Sequence, residues 1–162
     1  MALLLVAAVL VARTGRDGGE DARLSPNATG TARVERVVDG DTVRLAGIGS
    51  VRLIGIDTPE VYGRVECFGP QASAFAKHTL TRGEPVRYRV GAEPRDRYGR
   101  LLAYVWLPDG RMFNRLLAER GLARPLTIPP NDALAAQFEA AAAAARRAGR
   151  GMWERPGCAP PG

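Results

Sequence analysis

The sequence predicts an α+β domain built on a five-stranded OB-type Greek-key β-barrel with three α-helices. Three observations lead there. Five short stretches read as strands, the first and fourth by clear alternation of apolar and polar residues, a proline-opened helical stretch separates the third from the fourth, and two more helical stretches follow the fifth. At 162 residues, 46% hydrophobic and 25% charged, the chain has the size and composition of one folded domain with tails.

Residues 2–12, ALLLVAAVLVA, form an unbroken apolar run. It is too short to span a bilayer core, which takes about 20 residues, and its length suits the hydrophobic part of a signal peptide. No basic segment precedes it and no good small-x-small cleavage site follows. Residues 1–12 are therefore read as a signal peptide or an N-terminal anchor. Either way the chain is expected to be exported: secreted, or tethered at the envelope through residues 2–12 if the leader stays. Residues 13–30 are glycine-rich, polar and aperiodic, and read as a flexible linker. The folded domain is expected over 31–155, with a tail at 156–162. Cys67 and Cys158, the two cysteines, fit an oxidising compartment as one disulfide.

Within the domain, ARVERVV from Ala32 is the first strand, DGD a hairpin turn, and TVRLA the second strand. Gly47 to Ser50 turn the chain into VRLIGI, the third strand, which ends at Asp57. A loop over 58–68 leads to Gly69 and Pro70, which open a helix whose apolar face is Ala72, Phe75, Ala76 and Leu80. PVRYRV is the fourth strand, RDRYGR a polar hairpin and LLAYVWL the fifth strand. FNRLLAER is a short helix stopped by Gly121. The last helix places Leu134, Phe138, Ala141, Ala145 and Ala148 on one side, and Met152 and Trp153 read as a plug that docks the tail.

The net charge is +6 and every cationic side chain but Lys77 is arginine. Such a surface attracts polyanions, and the planar guanidinium fork suits phosphate. A codon-biased genome accounts equally for arginine replacing lysine, but not for the net excess. Against this background Asp41, Asp57 and Glu60 gather around Arg52. Carboxylates beside an arginine in a basic chain suggest a hard divalent cation holding an anion that the arginine also grips, and the natural anion is phosphate. Read singly, Asp39 and Asp41 also suit a tight turn, Asp57 a loop cap, Glu60 a solvated surface, and Arg52 and Arg100 simple ion pairs. Strand parity sends Arg52 and Asp57 to opposite faces unless Gly55 marks a bend. No Cys/His cluster suggests zinc, and His78 stands alone on a helical segment.

DGDT at 39–42, RLIGIDTPE at 52–60, GPQASAFAK at 69–77, DRYGRLLAYV at 96–105 and NRLLAERGLA at 114–123 together resemble the thermonuclease, or staphylococcal nuclease, family, in order and from about Ala32 to Trp153. The resemblance implies that Asp41, Asp57 and the backbone carbonyl of Thr58 ligate Ca2+. It implies that Glu60 orients or deprotonates the attacking water and that Arg52 and Arg100 clamp the phosphate. Arg97 and Tyr98 would sit beside the neighbouring phosphate, although a solvated hairpin tip also describes them. The implied reaction is hydrolysis of single-stranded or frayed DNA and of RNA to 3′-phosphate products, by a monomer with no stable protein partner. The alternative is a non-catalytic OB-fold module of the same ancestry that binds nucleic acid or a protein. The retained acids favour the enzyme, because a site that only holds phosphate gains nothing from carboxylates. Two departures stand out: RPLTIPPND at 124–132 lacks the pocket tyrosines of the staphylococcal type, and the loop over 61–68 is shorter than its counterpart.

Overall fold

The computed structural model describes residues 22–155 and 157–158. The leader, the first part of the linker and most of the tail lie outside the described residues. Among the described residues no helix is long and apolar enough to cross a membrane.

Five strands close a barrel: β1 (Thr29–Val37), β2 (Thr42–Leu45), β3 (Gly49–Leu53), β6 (Leu101–Trp106) and β5 (Pro85–Arg95), in that spatial order. All neighbours are antiparallel except β3 and β6, which run parallel. Outside the barrel, β4 (Gly55–Asp57) pairs with β7 (Arg124–Leu126) in a small second sheet. Three helices, α1 (Gly69–Thr79), α2 (Phe113–Glu119) and α3 (Ala135–Arg147), and a 3-10 turn at Gly151–Glu154 complete the fold. The predicted α+β barrel is therefore the observed one.

The differences lie in boundaries, in one break and in β7, a strand not expected from the sequence. β1 begins at Thr29, earlier than the alternation suggests, because Thr29 and Gly30 already pair with Arg89 and Tyr88. The predicted third strand is two strands. It breaks at Ile54, where Gly55 takes φ +83° and a Cβ on it would lie 2.2 Å from the Phe138 ring. Only glycine accepts both demands. The break lets Leu53, Ile54 and Ile56 all be buried, which no single flat strand facing one core could do.

Val34, Val43, Leu45, Val51, Val90, Leu101 and Val105 fill the barrel, and Phe113 and Leu117 of α2 cap it. Phe138 of α3 stacks on Tyr104 with centroids 6.0 Å apart, which seats the last helix. Fully buried Asn114 is bonded at both ends of its amide. Its Oδ1 accepts from the Val105 N–H at 2.9 Å, and its Nδ2 donates to the carbonyls of Ile54 at 2.9 Å and Ala103 at 3.3 Å. One buried polar side chain thus pins α2, β6 and the break between β3 and β4; left without such partners, it would cost about 1–3 kcal/mol. Met152 is buried as the tail plug, whereas Trp153 is half-buried under the Arg146 guanidinium, 4.3 Å from its ring centroid. Cys67 and Cys158 form a disulfide, with Cα atoms 5.2 Å apart, joining the start of α1 to the segment beyond the 3-10 turn.

Candidate active site

The turn between β1 and β2 is built by Asp39, whose Oδ1 accepts the N–H groups of Asp41 at 3.1 Å and Thr42 at 2.7 Å. That turn directs Asp41 inward, where it is buried. Asp41 Oδ2 accepts from the Thr58 N–H at 2.9 Å and the Thr58 hydroxyl at 2.8 Å, while Oδ1 faces Arg52 Nε at 3.1 Å. The backbone can come this close to Thr58 because residue 40 is glycine; a Cβ there would lie 2.6 Å from Thr58 Oγ1. Burial pushes the Asp41 carboxyl above its ordinary value, and Arg52 and the Thr58 N–H, pulling the other way, do not cancel that effect.

Arg52, on β3, is held from several directions. Its Nη1 donates to the carbonyls of Leu53 and Ile56, the latter at 2.9 Å, and its Nη2 donates to Asp57 Oδ1 at 2.9 Å. Three of the five guanidinium N–H groups thus donate hydrogen bonds, Nε pairs with the Asp41 carboxylate as an ion pair, and one N–H on Nη2 stays open. The Gly55 bend resolves the parity conflict: the chain curls around this guanidinium, so that Arg52 and Asp57, five residues apart, meet.

Asp57 lies at the end of β4, opposite Arg124 on β7. Its second oxygen accepts from Arg124 Nη2 at 2.6 Å and Nε at 3.0 Å. Arg100 is fixed by Asp96, which accepts its Nε at 2.7 Å and its backbone N–H at 2.9 Å. From there Arg100 Nη1 reaches Thr42 Oγ1 at 3.5 Å. Burial opposes the charge on Asp96, but the bonds from Arg100 and the Tyr98 N–H outweigh it and hold the carboxyl below its ordinary value.

Asp41, Asp57, Thr58, Glu60, Arg52 and Arg100 all line one cleft of about 300 Å³, with Asp39 at its edge. Glu60 is exposed, and among the described residues no side-chain donor holds its carboxylate. Its backbone is fixed instead: its N–H donates to Glu66 Oε2 at 3.1 Å and its carbonyl accepts the Glu66 N–H at 2.9 Å. Arg97 and Tyr98 are not in this cleft. They line an adjoining apolar hollow of about 430 Å³ that shares Arg52 and Arg100 with it. Tyr98 is two-thirds exposed, with Arg97 and Arg100 stacked 4.7 and 5.5 Å from its centroid. The segment without tyrosines contributes Leu126, Ile128 and Asn131 to the hollow, so where the staphylococcal type has aromatic rings this wall is aliphatic and amide. His78 lies exposed in the last turn of α1, outside the cleft.

Among the described residues no three Asp, Glu, His or Cys side chains gather to enclose an ion unaided. A cation held by Asp41 and Asp57 would therefore draw its remaining ligands from backbone, water and substrate. The donor set fits a hard cation: every available ligand atom is oxygen, and the buried Asp41 charge is incompletely offset by its neighbours. Two further residues matter that sequence reasoning left out. Arg124 braces Asp57 and Asp96 braces Arg100; the first sits in a stretch noticed only for its lack of aromatics, the second in a hairpin read as solvated.

Residues 50–155 match the family described as Staphylococcal nuclease homologue. The chain is 46% identical to the thermonuclease of Staphylococcus intermedius over 128 residues, 75% of either protein, and 37% identical to the thermonuclease of Staphylococcus hyicus over 161 residues, 93% of this chain and 94% of that one. It is also 35% identical, over 83% of its length, to a segment making up 12% of endonuclease YhcR of Bacillus subtilis (strain 168).

Proposed function

The chain belongs to the staphylococcal nuclease family and is a phosphodiesterase nuclease, and we propose that it is an exported, calcium-dependent one that cuts single-stranded or frayed DNA and RNA to 3′-phosphate ends. The observation that carries this reading is the cleft itself: two carboxylates sharing Arg52, a backbone-fixed glutamate whose carboxylate is open to solvent, and a second arginine braced by Asp96.

The family is metal-dependent. Asp41, Asp57 and the Thr58 carbonyl would hold the calcium ion, which when bound polarises the phosphoryl oxygen and offsets the charge that gathers there. The remaining work falls to protein groups. Glu60, whose oxygens face the cleft without a protein donor, accepts the proton of the attacking water. Arg52 offers its remaining N–H and Arg100 its terminal nitrogens to the phosphate oxygens, and both interactions strengthen as negative charge builds in the transition state. Because both guanidinium groups are already held by Asp41, Asp57 and Asp96, little reorganisation is needed at that moment. Arg97 and Tyr98, which line the adjoining hollow, would receive the neighbouring phosphate. The disulfide supports export, since such bonds persist in oxidising compartments.

The test is digestion of heat-denatured DNA and of RNA by the purified chain, with calcium and with a chelator, beside Glu60→Ala. Calcium-dependent release of 3′-phosphate ends, lowered about 10²–10⁴-fold in the variant, is expected. Retention of nucleic acid without cleavage under any divalent ion would refute it.

A further inference from the structure

Of the four tyrosines, Tyr88 and Tyr104 are buried and Tyr62 and Tyr98 are exposed. The two exposed rings adjoin different lining residues of the active cleft. Tyr98 lies beyond Arg100, which lines both the cleft and the aliphatic hollow. Tyr62 follows Val61, a lining residue of the cleft, and its hydroxyl donates at 2.9 Å to the carbonyl of Val38, next to the cleft residue Asp39. The ring is thus tethered at both ends, to the 58–68 loop through its Cα and to the β1–β2 turn through its hydroxyl. It is nevertheless 61% exposed.

A tethered aromatic face left to solvent beside a phosphate-binding cleft is what nucleic-acid sites use to stack a base, since every base has a π-face and a tethered ring loses little freedom when it is covered. Resting on the nuclease reading above, we propose that Tyr62 is the stacking platform for the base on the side of the scissile phosphate opposite Tyr98. The bound strand then runs between two tyrosines, one per flanking nucleotide. The aliphatic lining at Leu126 and Ile128 leaves Tyr98 as the aromatic of its hollow, so base stacking is shared between the two rings rather than concentrated in one pocket.

The experiment uses short single-stranded DNA with one cleavable phosphodiester, the remaining linkages being made resistant, and an abasic residue on either its 5′ or its 3′ side. Wild type, Tyr62→Leu, Tyr62→Phe and Tyr98→Leu are compared by kcat/KM. In wild type each missing base lowers kcat/KM about tenfold, the scale of one base on one ring. Tyr62→Leu abolishes the penalty on one side and Tyr98→Leu the penalty on the other, while Tyr62→Phe, which keeps the ring and loses the tether, retains a reduced penalty between those of wild type and Tyr62→Leu. The proposal is overturned if Tyr62→Leu leaves both penalties intact, or if Tyr62→Phe is as damaged as Tyr62→Leu, since the hydroxyl staple and not the ring would then matter. No cleavage of the intact substrate by wild type would instead count against the nuclease reading itself.

Discussion

Reducing the disulfide should cost the protein much of its stability and little of its chemistry. Cys67 and Cys158 are 91 residues apart in sequence. In the chain-entropy account, tying a loop of that length lowers the entropy of the unfolded chain by about 16 cal/mol/K, or about 4.6 kcal/mol at 25 °C. That is a large share of the 5–15 kcal/mol typical of a folded domain. The loop beside Glu60 does not depend on the bridge to the same degree. Glu60 and Glu66 exchange two hydrogen bonds, and the Gly69 N–H donates to the Glu66 carbonyl at 3.0 Å. Guanidinium unfolding of oxidised and reduced protein, followed by fluorescence, is expected to show a loss of about 3–5 kcal/mol with native activity retained well below the reduced midpoint. A loss under about 1 kcal/mol would refute the entropic estimate. Two titratable thiols in unreduced, denatured protein would show that the bond does not form.

Two further outcomes follow from the site's supports. Gly55→Ala demands φ +83° of an L-residue and drives a methyl group into the Phe138 ring. It should cost at least about 2 kcal/mol by denaturant midpoint and lower activity with it, because the bend brings Arg52 to Asp57; an unchanged midpoint would contradict the packing described. Asp96 has its folded pKa below the ordinary 3.8, so its contribution to stability is fully present above that value and is lost as pH falls through the lower, folded one. Asp96→Asn should therefore flatten the acid limb of the stability curve below about pH 4 and reduce kcat/KM at neutral pH by releasing Arg100. An acid limb identical to wild type would show that the carboxylate does not act this way.

Much of this was legible in the chain. The alternation of PVRYRV and the short apolar run LLAYVWL, joined by a polar turn, marked the central hairpin, and the phase of Leu134 and Phe138 marked α3, because those patterns are local consequences of burial. The conflict between Arg52 and Asp57 was visible as a parity problem, with Gly55 as its solution. β7 was not visible: three residues, one of them proline, carry no period, and their partner β4 lies about 70 residues earlier, so only the folded chain shows the pairing. The same holds for Arg124, whose role exists only once those strands meet. Asp96 was hidden for a different reason. A charged hairpin tip looks solvated in sequence, and only geometry shows that its one carboxylate turns back to hold an arginine aimed at the cleft. The disulfide was legible because there were only two cysteines to pair.

The small sheet of β4 and β7 has a consequence for how the enzyme comes into being. Asp39, Asp41, Arg52, Asp57 and Glu60 all leave the ribosome early, but the strand that carries Asp57 finds its partner only after α2 and Arg124 have followed. The break that precedes that strand is pinned by Asn114 of α2 and packed by Phe138, which follows Arg124. An unfinished chain thus holds nearly every candidate reactive group and lacks their arrangement, so the cleft takes its shape only once β7 and α3 have joined the barrel.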